Sequence, residues 1–238
     1  CAGEYSRDTD VRFHAQPIAC PSCGPKVWTE GPGLGRLESE EALESACLAV
    51  EAGKIVAVKG IGGFLLVCDA ASPRAVNRLR ARKCRQEKPF ALMFPDAASI
   101  SRLCELSAAE AAALQSPEAP IVLLRRRDCS APSVCTDVAP GNPRLGAMLP
   151  YSPLHHLLLS RLGKPVVATS GNLSEEPIAT DNVLAREKLD AVADVFLMHN
   201  RPIARHADDS IVRYSPAGGR SVLRRARGMA PMPLMVSP

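Results

Sequence analysis

The feature that most restricts the fold is an alternation, from residue 38 onward, between short apolar runs and segments with helical spacing. Helices that each begin at a serine are predicted over residues 39–53, 72–85, 107–114 and 152–163. Between and after them lie short apolar runs typical of buried strands: IVAV (55–58), FALMF (90–94), IVLL (121–124), PVVAT (165–169), DVFLM (194–198), SIVRY (210–214) and SVLRR (221–225). The sequence therefore predicts an α/β domain whose sheet is covered by helices on both faces.

The opening residues do not share this pattern. They are polar, contain a C-x-x-C pair and end in a glycine-rich stretch, residues 31–35, that is typical of a flexible hinge. We therefore divide the chain into a finger-like segment with its linker, residues 1–37, and a main α/β domain, residues 38–238. Residues 128–146, rich in Pro, Ser and Gly, are predicted to form one long loop. The chain starts at Cys1 rather than Met, which indicates a fragment or a processed chain.

The cysteines near the start have the spacing of a metal site. Cys20 and Cys23 form a C-x-x-C pair, and eighteen residues separate Cys1 from Cys20. A structural zinc ion takes four ligands, so three thiolates would be present and the fourth would lie ahead of Cys1. His14 is an alternative ligand. A redox-active pair is the competing interpretation, and it is disfavoured because the pair does not open a helix after a strand.

Composition argues against several classes of protein. No apolar run approaches the ~20 residues that a membrane span needs. Nine cysteines, an odd number, occur without a secretory leader, which favours a reducing compartment, the cytoplasm, over a disulfide framework. A net charge of +4 is too small to argue by itself for nucleic-acid binding.

Two glycine-containing turns follow predicted strands, where ligands collect in α/β sheets. One, KGIGGF, begins at Lys59, and the other is Ser170-Gly171-Asn172. The first matches neither common phosphate-loop pattern, although Gly62 beside a cation would allow the backbone to approach an anion. Ser170 and Asn172 offer a hydroxyl and an amide, but an Asx-type turn explains the same three residues about as well.

Cations cluster across the end of the second predicted helix. Lys83 and Arg85 are two residues apart and would not share one face of a continuing helix, but in a turn they would converge with Lys88. A guanidinium between two ammonium groups suits a polyphosphate.

Two further pairs have competing interpretations. Asp208 and Asp209 precede a predicted strand and would either bind Mg²⁺ through its waters or form an exposed acidic turn. His155 and His156 lie in a leucine-rich helix, where a packing role is favoured over a catalytic one.

A family resemblance joins seven segments in order along the chain: EYSRDTDVRFHAQPIACPSCGP (4–25), KGIGGFLLVCDA (59–70), RKCRQEKPFALM (82–93), APGNPRLGAMLPYSPLHHLLL (139–159), ATSGNLSEEPI (168–178), RPIARHADDSIVR (201–213) and LRRARG (223–228). Together they closely resemble HypF, the carbamoyltransferase family of nickel–iron hydrogenase maturation. The resemblance implies the end of a zinc-finger region followed by a YrdC-like domain, with a twisted α/β sheet and a basic groove.

The resemblance also implies an activity. The YrdC-like domain would bind ATP with Mg²⁺ and, with carbamoyl phosphate or carbamate as the source, form carbamoyl-adenylate and release pyrophosphate. The full-length protein would then transfer the carbamoyl group to the C-terminal cysteine of HypE. This chain would carry only the adenylation half.

The family's K-x-R and S-x-N motifs imply roles for individual residues. The catalytic and nucleotide-binding positions would be Lys83, Arg85, Ser170 and Asn172. Further nucleotide contacts are implied for Lys59, Gly62, Lys88, Arg205, Arg224 and Arg227, although structural ion pairs explain the three arginines equally well. Zn²⁺ would bind Cys1, Cys20 and Cys23.

One departure and three rivals remain open. Leu65 stands where the family commonly has a histidine, which bears on carbamate or nucleotide binding if that histidine contacts substrate. A threonylcarbamoyl-adenylate synthase for tRNA modification shares the nucleotide motifs but not the finger segment, and antibiotic O-carbamoyltransferases also lack it. A non-catalytic RNA-binding module would use the same basic groove and would lose affinity steeply with salt.

Overall fold

The computed structural model describes residues 2–14, 20, 23–127, 134–173, 176–215, 217 and 219–233. Its helices are α1 (Ala2–Ser6), α2 (Ser39–Glu51), α3 (Pro73–Arg82), α4 (Ala97–Leu103), α5 (Ala108–Leu114), α6 (Pro153–Leu162) and α7 (Asn182–Leu189), with a 3₁₀ turn at Thr136–Val138. Its strands are β1 (Val27–Gly31), β2 (Leu34–Glu38), β3 (Val56–Lys59), β4 (Phe64–Asp69), β5 (Ala91–Met93), β6 (Ile121–Arg125), β7 (Arg144–Met148), β8 (Val166–Ser170), β9 (Val195–His199), β10 (Ile211–Tyr214) and β11 (Arg220–Arg224). None of the described helices is both long and apolar enough to span a membrane.

Within the described residues, eleven strands form a mixed sheet in the order β11-β10-β6-β7-β5-β8-β4-β3-β9-β1-β2. Three neighbouring pairs are parallel, β3 with β9, β5 with β7 and β6 with β10. The other seven pairs are antiparallel. The predicted α/β sheet is confirmed, and the structure adds that its strand directions are mixed.

Alternate side chains of the strands feed two separate hydrophobic cores, because successive residues of a strand point to opposite faces. Val56 and Val58 of β3 belong to the core under α2 and α6. Ala57, between them, belongs to the core that also holds buried residues of α3, α4 and α7. The prediction that helices cover both faces of the sheet is confirmed.

Serine caps start three of the four predicted helices. The hydroxyls of Ser72, Ser107 and Ser152 each accept a hydrogen bond from the backbone N–H three residues on, as expected of N-cap residues. The expectation that Ser39 is an N-cap residue is wrong. Helix α2 does begin at Ser39, but Glu38 occupies the N-cap position and makes no side-chain cap bond.

The glycine-rich stretch near the start is a hairpin turn and not a flexible hinge. It joins β1 to β2, and β1 pairs with β9, so the sheet begins ahead of the predicted boundary at residue 38. Trp28 and Thr29 are buried by this pairing. The local sequence does not reveal it because the partner strand lies more than 160 residues away.

Two central strands, β4 and β7, were also not predicted from the sequence patterns. β4 directly follows the KGIGGF turn, and its six residues are buried on both faces, so they show no alternation. β7 contains Gly146 and begins inside the predicted loop of residues 128–146. Of that loop, residues 128–133 lie outside the described residues, and the rest contains the 3₁₀ turn and the start of β7.

Candidate functional site

A cavity of about 960 Å³ opens on the sheet face that carries α2 and α6. Its floor is formed by one residue from each of six strands: Leu65, Ala91, Leu123, Gly146, Ala168 and Ile211. Ala91 lies directly between Gly146 of β7 and Ala168 of β8 in the sheet register. Because these three central residues are small, the middle of the floor is low and leaves room for a large ligand.

One side of the cavity is the cation loop, residues 83–89, which begins where α3 ends. Cys84 has a φ of 50°, in the left-handed region. Its N–H donates to the carbonyl of Ala81 at 3.1 Å, and the N–H of Arg85 donates to the carbonyl of Arg80 at 3.0 Å. These two bonds form a Schellman motif, which stops the helix and reverses the chain.

The reversed chain brings the predicted cations together. Lys83, Arg85 and Lys88 all line the cavity, as the prediction of a turn requires. Burial, and secondarily the charges of Arg85 and Lys88, lowers the pKa of Lys83 to about 8. Burial also lowers the pKa of Arg85, with the charges of Arg80 and Arg224 adding to the effect. Positive charge is therefore held close together here, which favours an anionic ligand.

The left-handed residue of this turn gives a stability prediction. We expect Cys84→Gly to raise the free energy of unfolding by about 0.5–1 kcal/mol, because glycine adopts this conformation without strain. Cys84→Val should lower it by about 1–2 kcal/mol, since a β-branched residue is disfavoured at positive φ. Cys84→Ala is the control and should stay within about 0.5 kcal/mol of the parent in urea unfolding. Equal stabilities for the Gly and Val variants would contradict the turn geometry.

Lys83 links the cation loop to the turn after β8. Its side chain is 4% exposed. The ammonium donates to the carbonyl oxygens of Ser170 at 2.6 Å and Asn172 at 2.7 Å, and to Oδ1 of Asn172 at 3.2 Å. An ammonium group has three N–H donors, enough for these three contacts. The structure therefore brings Lys83 and Ser170 together at one cavity.

The Ser170-Gly171-Asn172 turn is also ordered from within. The hydroxyl of Ser170 donates to Oδ1 of Asn172 at 2.6 Å, and both side chains line the cavity. The N–H of Gly171 donates to the carbonyl of Phe64 at 2.7 Å. A Cβ at Gly171 would lie 2.8 Å from that carbonyl oxygen, so the close approach of β4 requires glycine. The residues thus form a local turn and a cavity wall at once.

The KGIGGF turn is the hairpin between β3 and β4, and only its end reaches the cavity. Gly63 and Phe64 line the cavity, whereas Lys59 and Gly62 do not. The ammonium of Lys59, 3% exposed, donates to the carbonyl of His199 at 3.2 Å, and burial lowers its pKa. The expected placement of Lys59 and Gly62 in the groove is therefore corrected: β3 turns its last side chain into the protein.

Gly62 has a packing role that can be tested. The N–H of Ala207 donates to its carbonyl at 2.9 Å, and a Cβ at Gly62 would lie 2.5 Å from the carbonyl oxygen of Ala207. We expect Gly62→Ala to lower the free energy of unfolding by about 2–3 kcal/mol, because the clash is with backbone. Gly35→Ala, with nothing within 4 Å of its Cβ, should change it by under about 0.5 kcal/mol in the same urea titration. A tolerated Gly62→Ala would exclude this close approach.

The three arginines that were predicted to contact the nucleotide lie in three different places. Arg224 lines the cavity and forms an ion pair of 3.7 Å with Asp208. Arg205 lies instead at a separate cavity of about 260 Å³. Arg227 is not among the lining residues; it forms an ion pair of 2.9 Å with Asp209 and donates to backbone carbonyls. Its expected role as a groove residue is thus replaced by a structural one.

Six polar residues of the cavity were not identified from the sequence: Gln86, Asn142, Arg144, Tyr151, Thr169 and Arg213. Arg144 opens β7, the strand that the sequence patterns do not predict. Arg213 lies two residues after Ile211 on β10, and both line the cavity. Strand periodicity within SIVRY would have placed these two on one face, had the cavity been known to lie there.

A buried polar cluster, consisting of Tyr151, His155, Asp209 and Arg227, lies against the cavity wall. The guanidinium of Arg227 lies 3.6 Å from the ring centroid of Tyr151, which meets the ring of His155 edge-on at 4.6 Å between centroids. His155 is 1% exposed, and neither of its ring nitrogens has a hydrogen-bond partner among the described residues. Burial, followed by the charge of Arg227, lowers its pKa to about 3. The neutral, packed histidine fits the favoured interpretation.

The metal predictions fall partly outside the described residues. Cys20 and Cys23 are described, but Cys1 is not. Among the described residues no group of three His, Cys, Asp or Glu side chains is placed to hold a metal ion. The ring of His14 stacks on Phe13 at 4.1 Å between centroids. Asp208 and Asp209 both line the cavity but are ion-paired with arginines, so a Mg²⁺ ion there would take most of its ligands from water and a bound phosphate.

Comparison with known proteins gives consistent matches. Residues 48–226 match the Sua5/YciO/YrdC family model, described as telomere recombination, and residues 1–30 match the HypF finger model. The carbamoyltransferase HypF of Rhodobacter capsulatus is 52% identical over 100% of the chain, which covers 31% of that protein. The crystal structure of full-length HypF in the phosphate- and nucleotide-bound form superposes with a TM-score of 0.86 at 44% identity, covering 97% of the chain and 30% of that structure.

A more distant match is to a protein with one of the rival activities, threonylcarbamoyl-adenylate synthesis. The threonylcarbamoyl-AMP synthase of Bos taurus is 28% identical over 61% of the chain and 54% of that protein. The chain spans about a third of the length of the HypF proteins that it matches.

Proposed function

Because the chain belongs to the Sua5/YciO/YrdC family and matches the HypF finger over its first residues, we propose that its cavity binds ATP and forms carbamoyl-adenylate. The oxygen of a carbamate attacks the α-phosphorus of ATP, and pyrophosphate leaves. In the full-length protein, the carbamoyl group is then transferred to the C-terminal cysteine of HypE.

The observation that supports this proposal most strongly is the convergence of the cation loop and the Ser170-Gly171-Asn172 turn on one cavity. The volume of about 960 Å³ is large enough for a nucleotide with a small second substrate. Six cationic side chains line it against two carboxylates: Lys83, Arg85, Lys88, Arg144, Arg213 and Arg224 against Asp208 and Asp209. This excess of positive charge suits the triphosphate.

Adenylation of this kind depends on positioning and charge neutralisation more than on an acid or a base. We assign Arg85 and Lys88 to the phosphates that leave. Ser170 and Asn172 would hold the α-phosphate or the carbamoyl group by hydrogen bonds. Lys83 would keep that pair in place and add a nearby positive charge. Mg²⁺ bound to the phosphates would neutralise further charge, and Zn²⁺ would be held by the finger cysteines.

Leu65 makes the floor of the cavity apolar beside the Ser170 turn, where the carbamate would bind. It is 5% exposed and lines the cavity beside Ser170, its partner in the β4–β8 register. A leucine offers no hydrogen bond, so in this chain the carbamoyl group would be held by the Ser170 turn rather than by a side chain of β4.

The test is exchange of radiolabelled pyrophosphate into ATP by the 238-residue chain. We expect exchange that requires carbamoyl phosphate or carbamate and is not supported by threonine with bicarbonate. Exchange with threonine and bicarbonate would instead favour a threonylcarbamoyl-adenylate synthase. RNA binding that weakens steeply with salt, in a chain without measurable exchange, would favour the RNA-binding module.

A further inference from the structure

Arg80 lies beneath the cation loop and outside the cavity. It is on α3, it is 8% exposed, and the side-chain hydrogen bonds that it makes with described residues all go to backbone carbonyl oxygens. Its guanidinium also lies 4.6 Å from the ring centroid of Phe90, next to the loop. A buried guanidinium is costly unless its donors are used, so this arrangement favours a defined backbone conformation around it.

On one side, Arg80 holds the 3₁₀ turn. Nε donates to the carbonyl of Asp137 at 2.7 Å, and Nη2 donates to the carbonyl of Val138 at 3.1 Å. The N–H of Phe90, the residue directly after the cation loop, also donates to the carbonyl of Val138, at 2.9 Å. The turn therefore provides a fixed support for the arginine and for the end of the loop.

On the other side, Arg80 holds the cation loop itself. Nη1 lies within hydrogen-bond distance of three loop carbonyls, those of Arg85 at 3.0 Å, Gln86 at 3.0 Å and Lys88 at 3.2 Å. Three carbonyl oxygens of the loop are thus turned inward, toward the guanidinium. Carbonyl oxygens carry partial negative charge, so oxygens turned the other way would repel an anion in the cavity.

The inward carbonyls fix the direction of the following amides. In a planar trans peptide the C=O and N–H groups point in opposite directions. The N–H groups of Gln86 and Glu87 therefore point away from Arg80. No hydrogen bond between described residues uses either N–H as a donor. Gln86 lines the cavity together with Arg85 and Lys88, whereas Glu87, between Gln86 and Lys88, is not a lining residue. The outer side of the loop thus presents the Gln86 N–H in the cavity and the Glu87 N–H next to it, beside two cations.

Resting on the proposed function, we propose that Arg80 is a positioning residue for the phosphate groups of ATP. It turns the carbonyl dipoles of the cation loop away from the cavity. The N–H groups of Gln86 and Glu87 are left to bind phosphate oxygens together with the side chains of Arg85 and Lys88. Arg80 acts only through this loop and does not touch the nucleotide.

The test compares Arg80→Met and Arg80→Lys with the parent chain by calorimetry, using ATP, tripolyphosphate and adenosine as ligands. We expect Arg80→Met to weaken ATP and tripolyphosphate binding about 30-fold, as loss of charge-assisted positioning implies, and adenosine binding less than about twofold. Arg80→Lys should recover part of the loss. Arg74→Met, at an exposed position on the same helix, is the matched control and should bind all three ligands as the parent does.

Unchanged binding of tripolyphosphate by Arg80→Met would overturn the inference, and so would an equal loss for adenosine. If that variant does not fold, hydrogen exchange on the parent chain decides. Tripolyphosphate should slow exchange of the Gln86 and Glu87 amides, and unchanged exchange with ligand bound would overturn the inference. A parent chain that binds neither ATP nor tripolyphosphate would instead defeat the proposed function.

Discussion

Lys83→Met is expected to lower the affinity of the chain for ATP at least 100-fold, or about 2.7 kcal/mol, while the protein still folds. The methionine removes a positive charge from the cavity and takes away one donor from each of two carbonyl oxygens, that of Asn172 and that of Ser170. The Ser170 oxygen also accepts from the N–H of Asn172 at 3.0 Å. Loss of these charge-assisted hydrogen bonds at a partly buried turn should also lower the free energy of unfolding by roughly 2–3 kcal/mol. Calorimetric titration with ATP and urea unfolding of the same samples measure the two effects.

Lys88→Met is the matched control for this experiment. Lys88 is exposed and carries the same charge at the rim of the same cavity. Its replacement should weaken ATP binding less than about tenfold and leave the stability within about 0.5 kcal/mol of the parent. If a folded Lys83→Met variant keeps the parent affinity, Lys83 has no part in the site. If both variants lose affinity equally, charge alone explains the effect and the contacts of Lys83 to the Ser170 turn are unimportant.

Lowering the pH from 7.5 to 5 is expected to reduce the free energy of unfolding by about 2 kcal/mol through His155 alone. Burial keeps the pKa of His155 at about 3 in the folded protein, against about 6.5 when unfolded. Below pH 6.5 the unfolded chain takes up a proton that the folded chain does not, so stability is present above this pH and is lost as the pH falls toward 3. The charges of Arg227, His156 and His199 add to the effect of burial.

His155→Phe separates this contribution from other titrations. Phenylalanine keeps a ring against Tyr151 and cannot take up a proton, so the variant should lose about 2 kcal/mol less than the parent between pH 7.5 and pH 5. Asp209 is also buried, which raises its pKa and opposes the loss of stability at low pH, but it is present in both proteins. His156→Gln, at the exposed neighbouring position, should follow the parent. Parallel pH profiles for parent and His155→Phe would show that His155 is accessible to protons.

Local sequence determined much of the scaffold. Each of the seven predicted strands corresponds to a strand of the sheet. For six of them the reason is that a short apolar run bounded by polar residues has few ways to be buried. The seventh, β11, is exposed throughout, so its prediction as a buried strand is wrong, and it is a strand through its pairing with β10. Three serine caps were found at the positions expected of them. The patterns missed β1, β2, β4 and β7, since these strands are either buried on both faces or are strands only because a distant partner pairs with them.

The candidate site was predictable where its residues are neighbours in sequence. Lys83 and Arg85 converge because a helix ends between them and the chain reverses at Cys84, and the spacing of the two cations already required such a turn. The Ser170 turn follows a strand that the apolar pattern identifies. The Ser170 turn lies at the carboxyl end of β8, where ligands collect in α/β sheets, and the cation loop leads from the end of α3 to the start of β5.

What only the tertiary structure decided is which side chains share the cavity. Lys59 looks equivalent to Lys83 in the sequence, yet it points to His199, whereas Arg144 and Arg213, from strands far apart in the chain, line the cavity floor and walls. Strand register and the direction of each side chain depend on pairing between distant segments, and a one-residue shift would turn every side chain to the other face. The sequence therefore specified the parts and the chemistry of the site, while long-range pairing of the sheet selected its members.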